Sequence, residues 1–189
     1  VIQGQYLSTI SDEDIGWPTG TGSGSLLREW WTGISDHTLD RLTQTADFPR
    51  SPTGAAQLTS FEAPRDFGNN YGQRVRGFIH PPLTGSYTFW IAADDYAKVW
   101  LSTDEDPANK VLRASVTGYT SPQQWTKYTS QKSVVVQLQA GQRYYIEALH
   151  KEGGGGDHLA VSWKVNDLPQ EVIQGQYLST ISDEDIGWP

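Results

Sequence analysis

Residues 86–102 read SYTFWIAADDYAKVWLS, two aromatic and β-branched runs that meet at an acidic turn. In the first run Tyr87, Phe89 and Ile91 recur at every second position, so an extended chain turns all three to one side. The pattern continues outward. Val75–His80 (VRGFIH), Ser133–Leu138 (SVVVQL), Arg143–His150 (RYYIEALH) and Leu159–Val165 (LAVSWKV) are further strand-forming runs. Pro81-Pro82, Gly85, Gly141 and the four glycines 153–156 punctuate them. Short strands at this spacing predict an all-β fold, an antiparallel β-sandwich rather than βαβ units. One short helix is predicted around Leu39 and Leu42, capped by Ser35 or Asp36. Residues 43–70, with Pro49, Pro52, Gly54 and Pro64, read as a long irregular loop, and 19–25 as a flexible lead-in. Trp30, Trp31, Trp90, Trp100 and Trp163 are assigned to the core or to half-buried sheet positions. Tyr119 and Trp125, in a loop-like stretch, are candidates for a binding rim.

The first eighteen residues, VIQGQYLSTISDEDIGWP, recur unchanged as Val172–Pro189, a period of 171 residues. The repeat implies either a tandem array or engineered ends, and the array is the favoured reading. With no methionine present, the chain is expected to be an internal fragment. The expected organisation is a junction over 1–23 carrying the tail of a preceding repeat, one domain over 24–178, and the start of the next junction over 179–189. Each copy contributes −3, so the two supply −6 of the net −8 and leave the centre near −2. No basic stripe exists to neutralise phosphates or anionic lipid, which argues against nucleic-acid and membrane-surface partners. Cysteine is absent, so disulfides and thiolate metal sites are excluded. No apolar run reaches membrane-spanning length.

Two segments carry chemistry. Asp94 and Asp95 are adjacent carboxylates between two strong strands, and Lys151–His158 (KEGGGGDH) joins two more. Four consecutive glycines cost backbone entropy and suit a loop that another group must approach closely. Carboxylates with convergent carbonyls are the donor set of a hard cation such as Ca²⁺. The plainer alternatives are a solvated turn for Asp94-Asp95 and a surface charge for Glu152. His80 reads as a strand-end residue. Asp104-Glu105-Asp106 reads as a solvated turn or a second calcium site. Asp12-Glu13-Asp14 and its copy at 183–185 read as a charged linker or an ion site between domains.

REWWTGI (Arg28–Ile34), GFIHPPLTGSYTFWIAADDYAKVWLS (Gly77–Ser102) and YYIEALHKEGGGGDHLAVSW (Tyr144–Trp163), taken in order, resemble the PA14 family across Gly24 to about Leu178. The resemblance implies a β-sandwich and, in the lectin branch of the family, a Ca²⁺ site. It implies that Asp94 and Asp95, joined by a cis peptide, bind the ion together with the Glu152 side chain and the carbonyls of Gly154 and Gly156. The ion would hold vicinal sugar hydroxyls, with Asp157 and His158 beside it to hydrogen-bond them. Yeast adhesins of this type have Asn where this chain has Glu152.

The resulting expectation is a calcium-dependent, carbohydrate-binding module of a tandem-repeat adhesin on a bacterial cell surface. Its partners would be surface glycans or polysaccharide and neighbouring identical repeats. The alternatives are a structural spacer of a surface protein and an accessory carbohydrate-binding module of a glycoside hydrolase. No nucleophile–base arrangement is legible, so the domain is not expected to be an enzyme.

Overall fold

The structure, a computed structural model, describes residues 18–182. Its strands are β1 (Leu26–Thr32), β2 (Gly54–Leu58), β3 (Tyr71–Ile79), β4 (Gly85–Asp94), β5 (Tyr96–Ser102), β6 (Lys110–Val116), β7 (Val136–Leu138), β8 (Tyr144–Glu152), β9 (His158–Val165), β10 (Glu171–Val172) and β11 (Leu178–Thr180). They form two antiparallel sheets. The larger runs β2-β1-β3-β8-β5-β6 with β11 also on β3, and the smaller runs β10-β9-β4-β7. The expected antiparallel β-sandwich is the fold of the chain.

Alternation builds the core between the sheets. Tyr87, Phe89 and Ile91 of β4 and Val161 and Trp163 of β9 meet Val75, Ile79, Val99, Ile146 and Ala148 of the larger sheet. Trp163 is fully buried, 5.3 Å from the rings of both Tyr87 and Tyr177. β8 is buried at every position because both of its faces are covered. On the outer face of the larger sheet, Trp31 and Leu149 pack with Leu39 and Leu42 of α1 (Leu39–Thr43). Leu42 sits directly on Gly72, where a Cβ would stand 2.7 Å from Leu42 Cδ1.

The helix lies where the leucine spacing put it, but Thr38 is its N-cap and makes no side-chain cap bond. Asp36 instead accepts from the His37 N–H and pairs with Arg41. The expected loop over 43–70 is also more ordered than its prolines indicate. It contains β2, which pairs with β1, and Phe61 and Ala63, which are buried and bond to Ile173 and Leu159. Val172–Leu178 closes the domain: Ile173, Tyr177 and Leu178 are fully buried, and β11 pairs with the end of β3. The readings made for Asp12–Asp14 and 183–185, and for residues 1–17 of the first junction, lie outside the described residues.

Gly77 marks a close approach of β3 to β11. A Cβ there would lie 2.4 Å from the carbonyl oxygen of Ser179, a backbone atom that cannot swing aside. Gly77→Ala is expected to destabilise the domain by about 1–3 kcal/mol through overpacking, read as a lower urea midpoint with unchanged m-value.

Candidate metal and ligand site

The site lies where the chain twice crosses between the sheets. Asp94 ends β4 opposite His158 in the smaller sheet, and Tyr96 begins β5 opposite Lys151 in the larger one. The chain therefore changes sheet at Asp94-Asp95 and changes back between Glu152 and His158. The two corners run side by side, which brings the acidic pair and the glycine loop together. The Asp94–Asp95 peptide bond is cis.

The same alternation that fills the core sets the side chains. On β8 the inward series is Ile146, Ala148, His150, Glu152; on β3 it includes Val75, Gln73 and Tyr71. The interior thus turns from apolar to polar toward the crossovers. Gln73 and His150 are paired in register and fully buried. Gln73 Nε2 donates to His150 Nδ1 at 2.8 Å, which leaves the His150 Nε2–H to donate to the Asp94 carbonyl at 2.6 Å. Burial pushes the His150 imidazole down to about 3, consistent with a neutral ring that gives one bond and takes one. Arg28 Nε in turn donates to Gln73 Oε1. The Asp94 backbone is therefore held from beneath by a chain of three buried side chains.

Asp94, Asp95 and Glu152 each place a carboxylate oxygen within 4.8 Å of the others. Asp95 Oδ2 accepts from the Gly153 N–H at 3.1 Å. Glu152 is fully buried, and neither of its oxygens has a hydrogen-bond partner. Burial, then the charges of Asp95 and Asp94, push Glu152 up to about 8. Burial and then the Asp95 charge push Asp94 up to about 6. A buried carboxylate without donors beside two more is a defect for an isolated chain and a fit for a hard cation. Lys151 does not neutralise it, because Lys151 Nζ donates to the carbonyls of Asp36 and Glu152.

The glycine loop is strapped to a segment that the sequence reading passed over. Asn70 N donates to Gly153 O at 3.0 Å, Gly155 N to Asn69 Oδ1 at 3.1 Å, and Asp66 N to Asp157 O at 2.9 Å. Gly154 and Gly156 are exposed on this loop. The run of turn formers from Asp66 to Asn70 signalled a loop but not its partner.

Asp157 and His158 are tied into the frame of the corner. Asp157 is 2% exposed: its Oδ1 accepts from the Tyr71 hydroxyl at 2.8 Å and its Oδ2 from the Gly68 N–H at 2.9 Å. His158 is 4% exposed, its Nε2 bonds the Thr120 carbonyl at 3.0 Å, and its Nδ1 is buried without a partner. Both residues border a cavity; Asp157 spends both carboxylate oxygens on the frame, whereas His158 bonds it through Nε2 alone. That cavity, about 290 Å³, is lined by Arg65, Asp94, Tyr119, Thr120, Gly156 and His158 among others. Tyr119 is 60% exposed at its edge, while Trp125 lines a separate cleft. Asp104 and Asp106 cap their own turn and Glu105 pairs with Arg143. His80 bonds Ser179 Oγ at 2.7 Å.

Comparison with known proteins follows this geometry. A family described as the GLEYA domain matches residues 71–165. The chain is 37% identical over 166 residues to mouse N-acetyl-beta-glucosaminyl-glycoprotein 4-beta-N-acetylgalactosaminyltransferase 1, covering 84% of this chain but 16% of the transferase. Among solved structures, a PA14 sugar-binding domain from an RTX adhesin superposes with a TM-score of 0.63 at 11% identity, over 84% of this chain and 99% of that one. The Epithelial Adhesin 6 A domain from Candida glabrata, in complex with Galb1-3GlcNAc, superposes with a TM-score of 0.56 at 16% identity, over 89% of this chain and 94% of that one. At these identities the superpositions show the fold. The related transferase is an animal protein, and the expected bacterial tandem-repeat setting gains no support from it.

The raised carboxyls have a consequence for cation-free protein. A folded pKa of about 8 against an unfolded value of 4.5 means that the folded state holds the extra proton between those limits. Stability contributed by protonated Glu152 is present below pH about 4.5 and is lost as pH rises through about 8. Melting temperatures taken in EDTA from pH 5 to pH 8 are expected to fall for wild type, with a clearly flatter profile for Glu152→Gln.

Proposed function

Because the chain belongs to the GLEYA domain family, we propose that it is a carbohydrate-binding module whose ligand is held through Ca²⁺ at the crossover corners. The observation that carries this reading is the Glu152 carboxylate, buried without partners and within 4.8 Å of Asp94 and Asp95. Asp94, Asp95 and Glu152 would hold the cation, with the carbonyls of Gly154 and Gly156 completing the set. Bound there, the cation supplies open positions at which neighbouring sugar hydroxyls replace water. The chain's own residues do the rest. His150 fixes the Asp94 carbonyl, Gly153 N–H steadies Asp95, and Asp157 clasps the 68–71 segment to the wall of the cavity.

The adhesin domains that share this fold, one a sugar-binding domain and one in complex with Galb1-3GlcNAc, support this reading. The transferase similarity spans only part of that protein, which agrees with a non-catalytic module carried on a longer chain. We place the module at residues 24–178 within an extracellular protein. Its site is shallow and open, so affinity at a single copy is weak and gains from several copies held together.

Calorimetric titration of Ca²⁺ into EDTA-treated, dialysed protein tests the proposal. One site is expected in wild type and none in the Asp94→Asn/Asp95→Asn double variant. Because Glu152 is largely protonated at pH 7, binding is expected to release close to one proton, seen as a heat that scales with buffer ionisation enthalpy. Retention on immobilised galactosides should vanish on chelation. Retention that survives both EDTA and the double variant would sink the proposal.

A further inference from the structure

A second cleft lies away from the carboxylates, on the outer face of the smaller sheet. The alternation that buries Phe89 and Ile91 turns Trp90 outward on β4. Residues 124–132 fold beside it and leave a cleft of about 380 Å³, lined by Trp90, Trp125, Lys127, Tyr128, Thr129 and Lys132 among others. That volume is within the range of small-molecule sites, and the lining combines three aromatic rings with two threonines and two lysines.

The walls are fixed by a buried side chain. Gln131 is fully buried although it lies in a surface loop. Its Nε2 donates to the Ile91 carbonyl at 2.8 Å and to the Gln124 carbonyl at 2.6 Å, and its Oε1 accepts from Tyr128 N–H at 2.8 Å. One bond anchors the loop to β4 and two close it on itself. Ser130 Oγ adds a bond to the Ser115 carbonyl of β6. The aromatic groups are thus held in place before any ligand arrives, which lowers the ordering cost of binding.

Charge identifies the ligand class. Lys132 Nζ lies 5.5 Å from the Trp90 ring centroid, and Lys127 Nζ lies 5.3 Å from Tyr128 and 3.6 Å from Tyr119. Among the described residues, no carboxylate forms an ion pair with either lysine; Lys127 Nζ donates to the Tyr119 carbonyl at 2.7 Å, so both ammoniums keep their charge at the rim of the cleft. Two exposed ammoniums therefore border aromatic walls in a chain of net charge −8. A neutral apolar ligand would desolvate them without compensation. A bare inorganic anion would leave the aromatic faces unused.

We propose that this cleft binds an acidic sugar, a pyranose bearing a carboxylate or a sulfate. Its apolar ring face lies against Trp125 with the buried Trp90 as the floor, its charge is met by Lys127 and Lys132, and Thr126 and Thr129 offer hydroxyls to the ring. The site takes no donor or acceptor from the crossover carboxylates, although the Lys127 charge reaches Asp94.

The test is a tryptophan-fluorescence titration in EDTA with glucuronate and galactose 6-sulfate, alongside glucose, galactose and inorganic sulfate. The two acidic sugars are expected to give a saturable change that the neutral sugars and inorganic sulfate do not. The difference between them separates carboxylate from sulfate preference. Lys127→Gln/Lys132→Gln is expected to weaken the response at least about tenfold and Trp125→Ala to remove it, with melting temperatures close to wild type. Asp94→Asn/Asp95→Asn should leave it intact, so loss of the cation site and loss of this cleft are told apart. Equal responses to acidic and neutral sugars, a full response to inorganic sulfate, or an unchanged response in the lysine variant would each overturn the proposal.

Discussion

The inward face of β8 sets the terms for the whole site. Ile146 and Ala148 belong to the inter-sheet core, and His150 and Glu152 follow them on the same side of the strand. Because side chains alternate strictly, Glu152 cannot turn to water without pulling Ile146 and Ala148 out of the core. Packing therefore forces a carboxyl into the interior. Leaving a buried charge unpaired costs several kcal/mol, and the group answers by holding its proton or by taking a partner. Among the described residues no protein cation pairs with it: Lys151 Nζ donates to the carbonyls of Asp36 and Glu152, and Arg28 Nε to Gln73 Oε1.

What the sequence made legible was local. Adjacent aspartates, four glycines and period-two runs are readable because each lies within a few residues of itself. From these the sandwich, the corner loops and the acidic site follow. The strands β1, β2 and β6 were harder, since Arg28 and Glu29 interrupt the apolar pattern of β1. These charges are tolerated because each finds a buried partner on β3: Arg28 bonds Gln73, and Glu29 pairs with Arg74 and Arg76. Those partners are more than forty positions distant.

Register carried the rest. His150 looks like an ordinary polar residue at the end of a strand run until it is paired with Gln73 and set under the Asp94 carbonyl. Asp157 and His158 look like loop polar groups free to meet a ligand, because sequence gives no sign that Tyr71, Gly68 and Thr120 converge on them. Burial of a polar atom is a property of the assembled corner. No spacing rule within one segment encodes it.

The electrostatics of the corner then link its stability to its ligand. Asp94, Asp95 and Glu152 share one small volume, so each ionisation raises the cost of the next, and burial raises it further. Protons relieve that crowding at low pH. On the proposed reading a divalent cation relieves it at neutral pH, using the same oxygens. Protonation and cation binding are therefore competing solutions to one packing constraint. The buried frame around them, neutral His150 included, stays the same in both. On that reading the hydrogen bonds that hold the corner are already made before the ion arrives, so little backbone ordering is left for it to drive. Its binding energy can go into the open positions that face the cavity.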